Sequence, residues 1–192
     1  MPRKRVAILI SGRGSNMAAL IEAAKDPAYP AEIVLVASNR PDAGGIATAQ
    51  KAGIETAIVD HKKFKDRESF EQELQKVLEA HRIEIVCLAG FMRLLTPWII
   101  SRWTGRMLNI HPALLPAFKG LDTHERAIAA GAKEHGATVH HVVPEMDSGP
   151  IIIQASVPVM PDDTPDALAK RVLAVEHKIY PEALKRIAET LP

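Results

Sequence analysis

Short apolar runs alternate with helical patterns from Val6 to Ile110, and this alternation limits the fold more than any other feature. Val6–Ile10, Ile33–Ala37, Glu55–Val59, Ile83–Leu88 and Met107–Ile110 read as strands. Several are apolar at successive positions and rich in β-branched residues, as strands covered on both faces should be. Helical segments fall between them. One runs through Met17, Leu20 and Ile21. A small-residue helix spans Ala43–Ala52, and Gly53 closes it. Phe70, Leu74, Val77 and Leu78 recur at helical spacing, giving an amphipathic helix from about Asp66 to Ala80. Thr96-Pro97 is a helix start, a capping residue followed by proline. The pattern predicts an α/β fold with a doubly wound, mostly parallel sheet.

The rhythm changes after Ile110. Thr138–Val143 and Ile151–Val157 are strand-like runs joined by Pro144-Glu145-Met146-Asp147-Ser148-Gly149-Pro150. That connection suits a late antiparallel hairpin better than a crossover. Thr164-Pro165-Asp166 opens a last helix, which Pro181 is expected to kink or break. No repeat, low-complexity tract or linker divides the chain.

At 192 residues one large domain can bury a sufficient core without staples. The formal charge of +1 gives no electrostatic case for a nucleic-acid or membrane partner. Cys87, the only cysteine, sits in an apolar run and reads as an inert core thiol. A single cysteine rules out an intrachain disulfide, consistent with a reducing cytoplasm. The apolar stretch after the basic start Met1–Arg5 is too short to span a membrane and lacks a cleavage pattern.

Chemistry concentrates in Leu108-Asn109-Ile110-His111-Pro112. Asn109 and His111 are two apart, so in a strand they share a face. Open α/β folds bind ligands at the carboxyl ends of their strands. An amide can hold an oxyanion, and a histidine can carry a proton near neutral pH. The pair points to acyl-type transfer. Asp147 reads either as a solvated loop charge or, if its loop folds over the strand end, as a partner for His111. A carboxylate there favours the protonated imidazole. No protein nucleophile is needed if the substrate brings its own amine.

Ser11-Gly12-Arg13-Gly14-Ser15-Asn16 follows the first strand and opens the first helix. It reads either as a plain turn or as a phosphate loop, because free amides at a helix start attract phosphate. A dinucleotide fingerprint fits poorly: Met17 stands near the third glycine's place, and the second strand ends in Ser38-Asn39-Arg40 without an acid for a ribose. The Walker lysine pattern is missing too. Adjacent His140 and His141 point to opposite faces of a strand, one expected toward the site and one toward solvent. That is poor geometry for a metal, and no metal site is expected. Glu176-His177 lies in the last helix, where an exposed face is the plain reading.

These motifs, with Leu88-Ala89-Gly90-Phe91-Met92-Arg93, Leu114-Leu115-Pro116, Gly136-Ala137-Thr138-Val139-His140 and Asp147-Ser148-Gly149-Pro150-Ile151, resemble the folate-dependent formyltransferase family. The Ser-Gly-x-Gly-Ser-Asn loop narrows the likeness to the phosphoribosylglycinamide formyltransferases of purine synthesis. The resemblance implies a Rossmann-like formyltransferase domain over 1–192, with a phosphate-binding half (1–105) and a catalytic, folate-binding half (106–192). It implies transfer of formyl from the co-substrate 10-formyltetrahydrofolate to the amine of 5-phosphoribosylglycinamide. It assigns catalysis to Asn109, His111 and Asp147. It assigns the ribonucleotide to Gly14, Ser15 and Asn16 at the phosphate, and to Leu173, Ala174, Val175 and Glu176 at the ribose. It assigns the folate to Arg67 at the tail and to Met92, Arg93, Leu94 and Leu95 on one wall. Val143, Pro144, Glu145 and Met146 form the other wall, with Asn109 and Asp147 beside them. It implies small-molecule partners, no metal, and a monomer or homodimer.

Departures are small: Arg13 at the variable place of the phosphate loop, Val175 before Glu176, and a short C-terminal end. Rival readings are a formyltetrahydrofolate hydrolase, a methionyl-tRNA formyltransferase and a non-catalytic folate- or nucleotide-binding module. The early first strand leaves no expected room for the hydrolase's regulatory domain. The early end leaves none for an RNA-binding barrel.

Overall fold

The computed structural model describes residues 2–192, Met1 lying outside them. Seven strands form one sheet: β1 (Lys4–Ile10), β2 (Ala31–Ser38), β3 (Glu55–Ile58), β4 (Ile85–Leu88), β5 (Met107–His111), β6 (Glu134–His141) and β7 (Ile151–Pro158). Their order is β3-β2-β1-β4-β5-β6-β7. The first five pair in parallel; β6 runs antiparallel to β5, and β7 to β6. The doubly wound sheet with a late hairpin is borne out. The order reverses between β1 and β4, so a crevice opens where their following loops diverge.

The helices are α1 (Ser15–Ala24), α2 (Gly44–Lys51), α3 (Arg67–Ala80), α4 (Pro97–Ile100), α5 (Thr123–Ala129) and α6 (Pro165–Thr190). Strand alternation sends side chains to two layers. Val6, Ile8 and Ile10 pack with Met17 and Leu20 of α1 and with Leu168, Val172 and Tyr180 of α6. Ala7 and Leu9 face Phe70, Leu74 and Leu78 of α3, with Ile99, Ile100 and Trp103 beyond. This accounts for the continuous apolar runs: both parities are buried.

Four expectations need correction. The helix at Thr96-Pro97 is one turn long and continues as a 3-10 turn, Ser101–Trp103. Thr96 makes no side-chain cap bond there, because its hydroxyl donates to Glu71 instead. The last helix is unbroken at Pro181. Ile179, Tyr180, Ala183 and Leu184 keep its buried stripe continuous across the proline, and this packing outweighs the lost backbone bond. The strand expected from Thr138 starts at Glu134, and α5 precedes it unforeseen. Gly136 explains the weak strand pattern: a Cβ there would stand 2.0 Å from Ala155 O. Finally, His177 is half-buried, with Nε2 buried and without a partner among the described residues, rather than on an exposed face.

Cys87 is fully buried, and burial pushes its thiol up to about 12, as an inert core residue requires. No helix among the described residues is long and apolar enough to cross a membrane.

Candidate active site

The two faces of the sheet are covered unequally. α6 runs along one face past β5 and β6, whereas α3 and α4 leave the far end of the other face open. A cleft of about 620 Å³ occupies that open end. Its floor is Leu88, Asn109, His111 and His140; one wall is the loop Phe91–Leu95, and the other is Val142–Asp147. The volume suits a drug-sized ligand, and exposed Met92, Leu94 and Met146 give apolar walls.

Asn109 and His111 share the floor because β5 places them on one face. His111 Nε2 lies 2.8 Å from Phe118 O. A carbonyl only accepts, so Nε2 carries the hydrogen and Nδ1 is left to exchange a proton. Nδ1 stands 3.5 Å from Asp147 Oδ2, both side chains being nearly buried. Oδ2 also accepts from Gly120 N at 2.9 Å. The loop that carries Asp147 is therefore shaped rather than loose. Asp147 adopts a left-handed φ of 53°. Gly149 permits the close return, since a Cβ there would lie 1.7 Å from His141 O. Thr138 holds the segment after His111: its hydroxyl donates to Ala113 O at 2.7 Å and accepts from Leu115 N at 3.1 Å.

His140 belongs to the site although the sequence reading assigned it no role. It pairs directly with Asn109 in the β5–β6 ladder, and its Nε2 is 3.4 Å from Asn109 Nδ2. Its Nδ1 donates to His141 O at 3.0 Å. Burial pushes its pKa down, with the His141 carbonyl and Asp147 opposing. A neutral ring is what an amide donor needs as its acceptor. His141 points the other way, as expected, but not to solvent. It is half-buried in a second groove beside Pro97, Ser101 and Thr104.

A second polar patch lies at the start of α1. Gly14 holds a left-handed φ of 72° and no side chain caps the helix. The first amides of α1 therefore lack intrahelical partners. Asn16 Nδ2 donates to Glu176 Oε1 at 3.1 Å, joining α1 to the α6 turn that carries Leu173, Ala174 and Val175. Burial raises the Glu176 pKa, and the Asn16 amide opposes. Asn16 Oδ1 is a buried acceptor without a partner among the described residues. Free amides beside two buried acceptors suit an anionic ligand that also carries hydroxyls.

The sequence profile of the formyl transferase family matches residues 4–184. The chain belongs to the formyl transferase family. Within this family it is 43% identical over 184 residues to Escherichia coli (strain K12) phosphoribosylglycinamide formyltransferase, covering 96% of this chain and 87% of that protein. It is 48% identical over 188 residues to the Bos taurus trifunctional purine biosynthetic protein adenosine-3, covering 97% of this chain. The chain spans about a fifth of that trifunctional protein, 19% of its length. The crystal structure of phosphoribosylglycinamide formyltransferase from Brucella melitensis superposes with a TM-score of 0.94 at 50% identity, covering 99% of this chain and 98% of that one.

Of the residues singled out from the sequence, the formyl transferase cleft gathers Met92, Arg93, Leu94, Leu95, Asn109, His111, Val143, Pro144, Glu145, Met146 and Asp147. Gly14, Ser15, Asn16 and Glu176 form the separate patch on α1 and α6. Arg67 is not among the cleft-lining residues; it is exposed at the first turn of α3. Arg13 is also exposed.

Proposed function

We propose that the chain transfers the formyl group of 10-formyltetrahydrofolate to the amine of 5-phosphoribosylglycinamide, a step of purine synthesis. The observation that carries this reading is the convergence of Asn109, His111 and Asp147 in one apolar-walled cleft. The relatives' names support it.

The neutral amine attacks the formyl carbon, and the carbonyl pair moves onto oxygen. Asn109 Nδ2 and a protonated His111 Nδ1 hold that oxygen. The amine's surplus proton passes to the Asp147 carboxylate. The oxygen's pair then re-forms the carbonyl as the bond from the formyl carbon to the folate nitrogen breaks, and protonated His111 gives its Nδ1 proton to that nitrogen. The proton held on Asp147 returns to His111 Nδ1, 3.5 Å away, and restores both groups. The products are the formylated amide and tetrahydrofolate.

In this reading the pterin lies between Met92–Leu95 and Val143–Met146. Arg93 Nε, a buried donor without a partner among the described residues, meets a ligand acceptor. Arg67, outside the cleft at the first turn of α3, is assigned to the folate tail. The amides of Gly14, Ser15 and Asn16 hold the ribonucleotide phosphate, and Glu176, flanked by Leu173, Ala174 and Val175, binds the ribose hydroxyls. The domain divides into a phosphate-binding half, 1–105, and a catalytic half, 106–192. The enzyme works in the cytoplasm as a monomer or homodimer, on small molecules and without a metal.

The test is formyl loss from 10-formyltetrahydrofolate with and without 5-phosphoribosylglycinamide. Loss that requires the ribonucleotide and yields its formyl derivative is expected. Equal loss without it would identify a hydrolase and overturn the transferase reading.

A further inference from the structure

The wall Phe91–Leu95 has no regular structure, and no backbone–backbone hydrogen bond falls on residues 90–95 among the described residues. Two side chains from elsewhere in the fold hold it. At one end Ser11 Oγ accepts from Met92 N at 2.8 Å and donates to Asn39 Oδ1 at 2.5 Å. Ser11 and Asn39 are both buried, so these bonds are shielded from water. At the other end Glu71 accepts from Thr96 N at 2.7 Å and from the Thr96 hydroxyl. Glu71 is fully buried on α3, and both its oxygens are spent on Thr96. Between these two pins, Met92 and Leu94 stand 67% and 57% exposed. Phe91 and Leu95 pack on the core below, but the strap is hydrogen-bonded only at its two ends among the described residues, and its large apolar groups form a surface set for a flat ligand.

We propose that Ser11 and Glu71 are positioning residues for the formyl donor, acting through the strap they pin. The inference rests on reading the cleft as the folate site. Neither residue lines the cleft, and neither touches the reacting atoms. The Ser11 bond also crosses the crevice between β1 and β4. It joins the start of the phosphate loop to the folate wall. The phosphate loop itself has other supports: Gly45 N donates to Gly12 O at 2.9 Å, and Ala18 N to Gly14 O at 2.9 Å. Losing the Ser11 hydroxyl therefore frees the strap and leaves the ribonucleotide side in place.

The test uses the full chain with Ser11→Ala and, separately, Glu71→Leu, which keeps the buried volume and removes both bonds to Thr96. KM for 10-formyltetrahydrofolate should rise about tenfold in each, the scale of one buried hydrogen bond lost. KM for 5-phosphoribosylglycinamide should stay within about twofold of the wild type, a split that a general loosening of the fold does not produce. Tetrahydrofolate titrated by fluorescence should weaken in parallel. Equal rises in both KM values, or an unchanged folate KM in either variant, would overturn the proposal. A wild-type chain without amine-dependent transfer would instead overturn the functional reading beneath it.

Discussion

His140 stands directly across the β5–β6 ladder from Asn109, and a 3.4 Å contact between Nε2 and Nδ2 turns the asparagine amide. The amide has two hydrogens. One is engaged by His140, and the other is set toward the cleft. His140→Leu should lower kcat about tenfold, because the amide is then free to rotate. His140→Gln offers a carbonyl in the same region and should recover most of the rate. Steady-state kinetics of both variants decide the point; equal rates for the two would remove the orienting role.

Asn109→Ala and His111→Ala should each lower kcat by about 10²–10³, the usual cost of losing a preorganised oxyanion donor. KM values should change far less. Asp147→Asn keeps the acceptor for Gly120 N but loses the charge beside Nδ1, and its rate should also fall. If single-turnover formyl transfer is unaffected by Asp147→Asn, the carboxylate has no part in the chemistry.

Glu176 and Asn16 predict a loss confined to one substrate. Glu176→Ala should raise KM for the ribonucleotide roughly 10- to 100-fold, the range for a hydrogen bond to a charged group. KM for the folate should hold. A rise in the folate KM instead would put this patch on the wrong substrate.

Gly149→Ala brings a methyl to within 1.7 Å of His141 O. The loop must then lift, carrying Asp147 away from His111. Stability should fall by about 1–3 kcal/mol, as for other overpacked sites. Activity should fall further than the melting temperature suggests. Retained wild-type activity would show that the loop reaches Asp147's position by another path.

Acid stability follows from His135. It is 1% exposed, and burial, then His124 and His111, push its pKa from 6.5 down to about 4. The unfolded chain binds this proton first, so stability is lost as pH falls from about 6.5 toward 4. The full loss from this one group is about 3 kcal/mol. His140 and His124, also lowered by burial, act in the same direction. Melting temperature measured from pH 7 to pH 4 should fall, and His135→Asn should flatten the curve. An unchanged slope in that variant would assign the acid lability elsewhere.

The parallel strands were legible because length and composition agree there: Val6–Ile10 is a short, β-branched apolar run bounded by a Ser-Gly turn, as a strand covered on both sides should be. The pair Asn109 and His111 was legible for the same reason, since parity in β5 fixes their common face. What escaped depends on contacts between distant segments. α5 is seven residues long, and β6 opens with Glu134-His135-Gly136, which carries no strand preference. Pro181 is a helix breaker locally and is overruled by the buried stripe around it. One of His140 and His141 was expected at the site, and it is His140; choosing between them needed the β5–β6 register, which no single segment encodes. Arg67 came from likeness alone, and it sits outside the cleft.

α6 carries Glu176 and Tyr180 one turn apart. The Tyr180 hydroxyl reaches beneath the sheet to Leu88 O at 2.7 Å and Leu108 O at 3.2 Å. Those carbonyls underlie the cleft floor, and Asn109 follows the second. A single rod thus fixes the span from the Asn16–Glu176 patch to the strand that carries Asn109. Under the proposed function, with the sugar at Glu176 and the formyl carbon at Asn109, the rod works as a ruler that sorts acceptors by the length between their sugar and their amine. A substrate homologue with one atom more or fewer in that linker should bind at both ends and yet fail to take the formyl group.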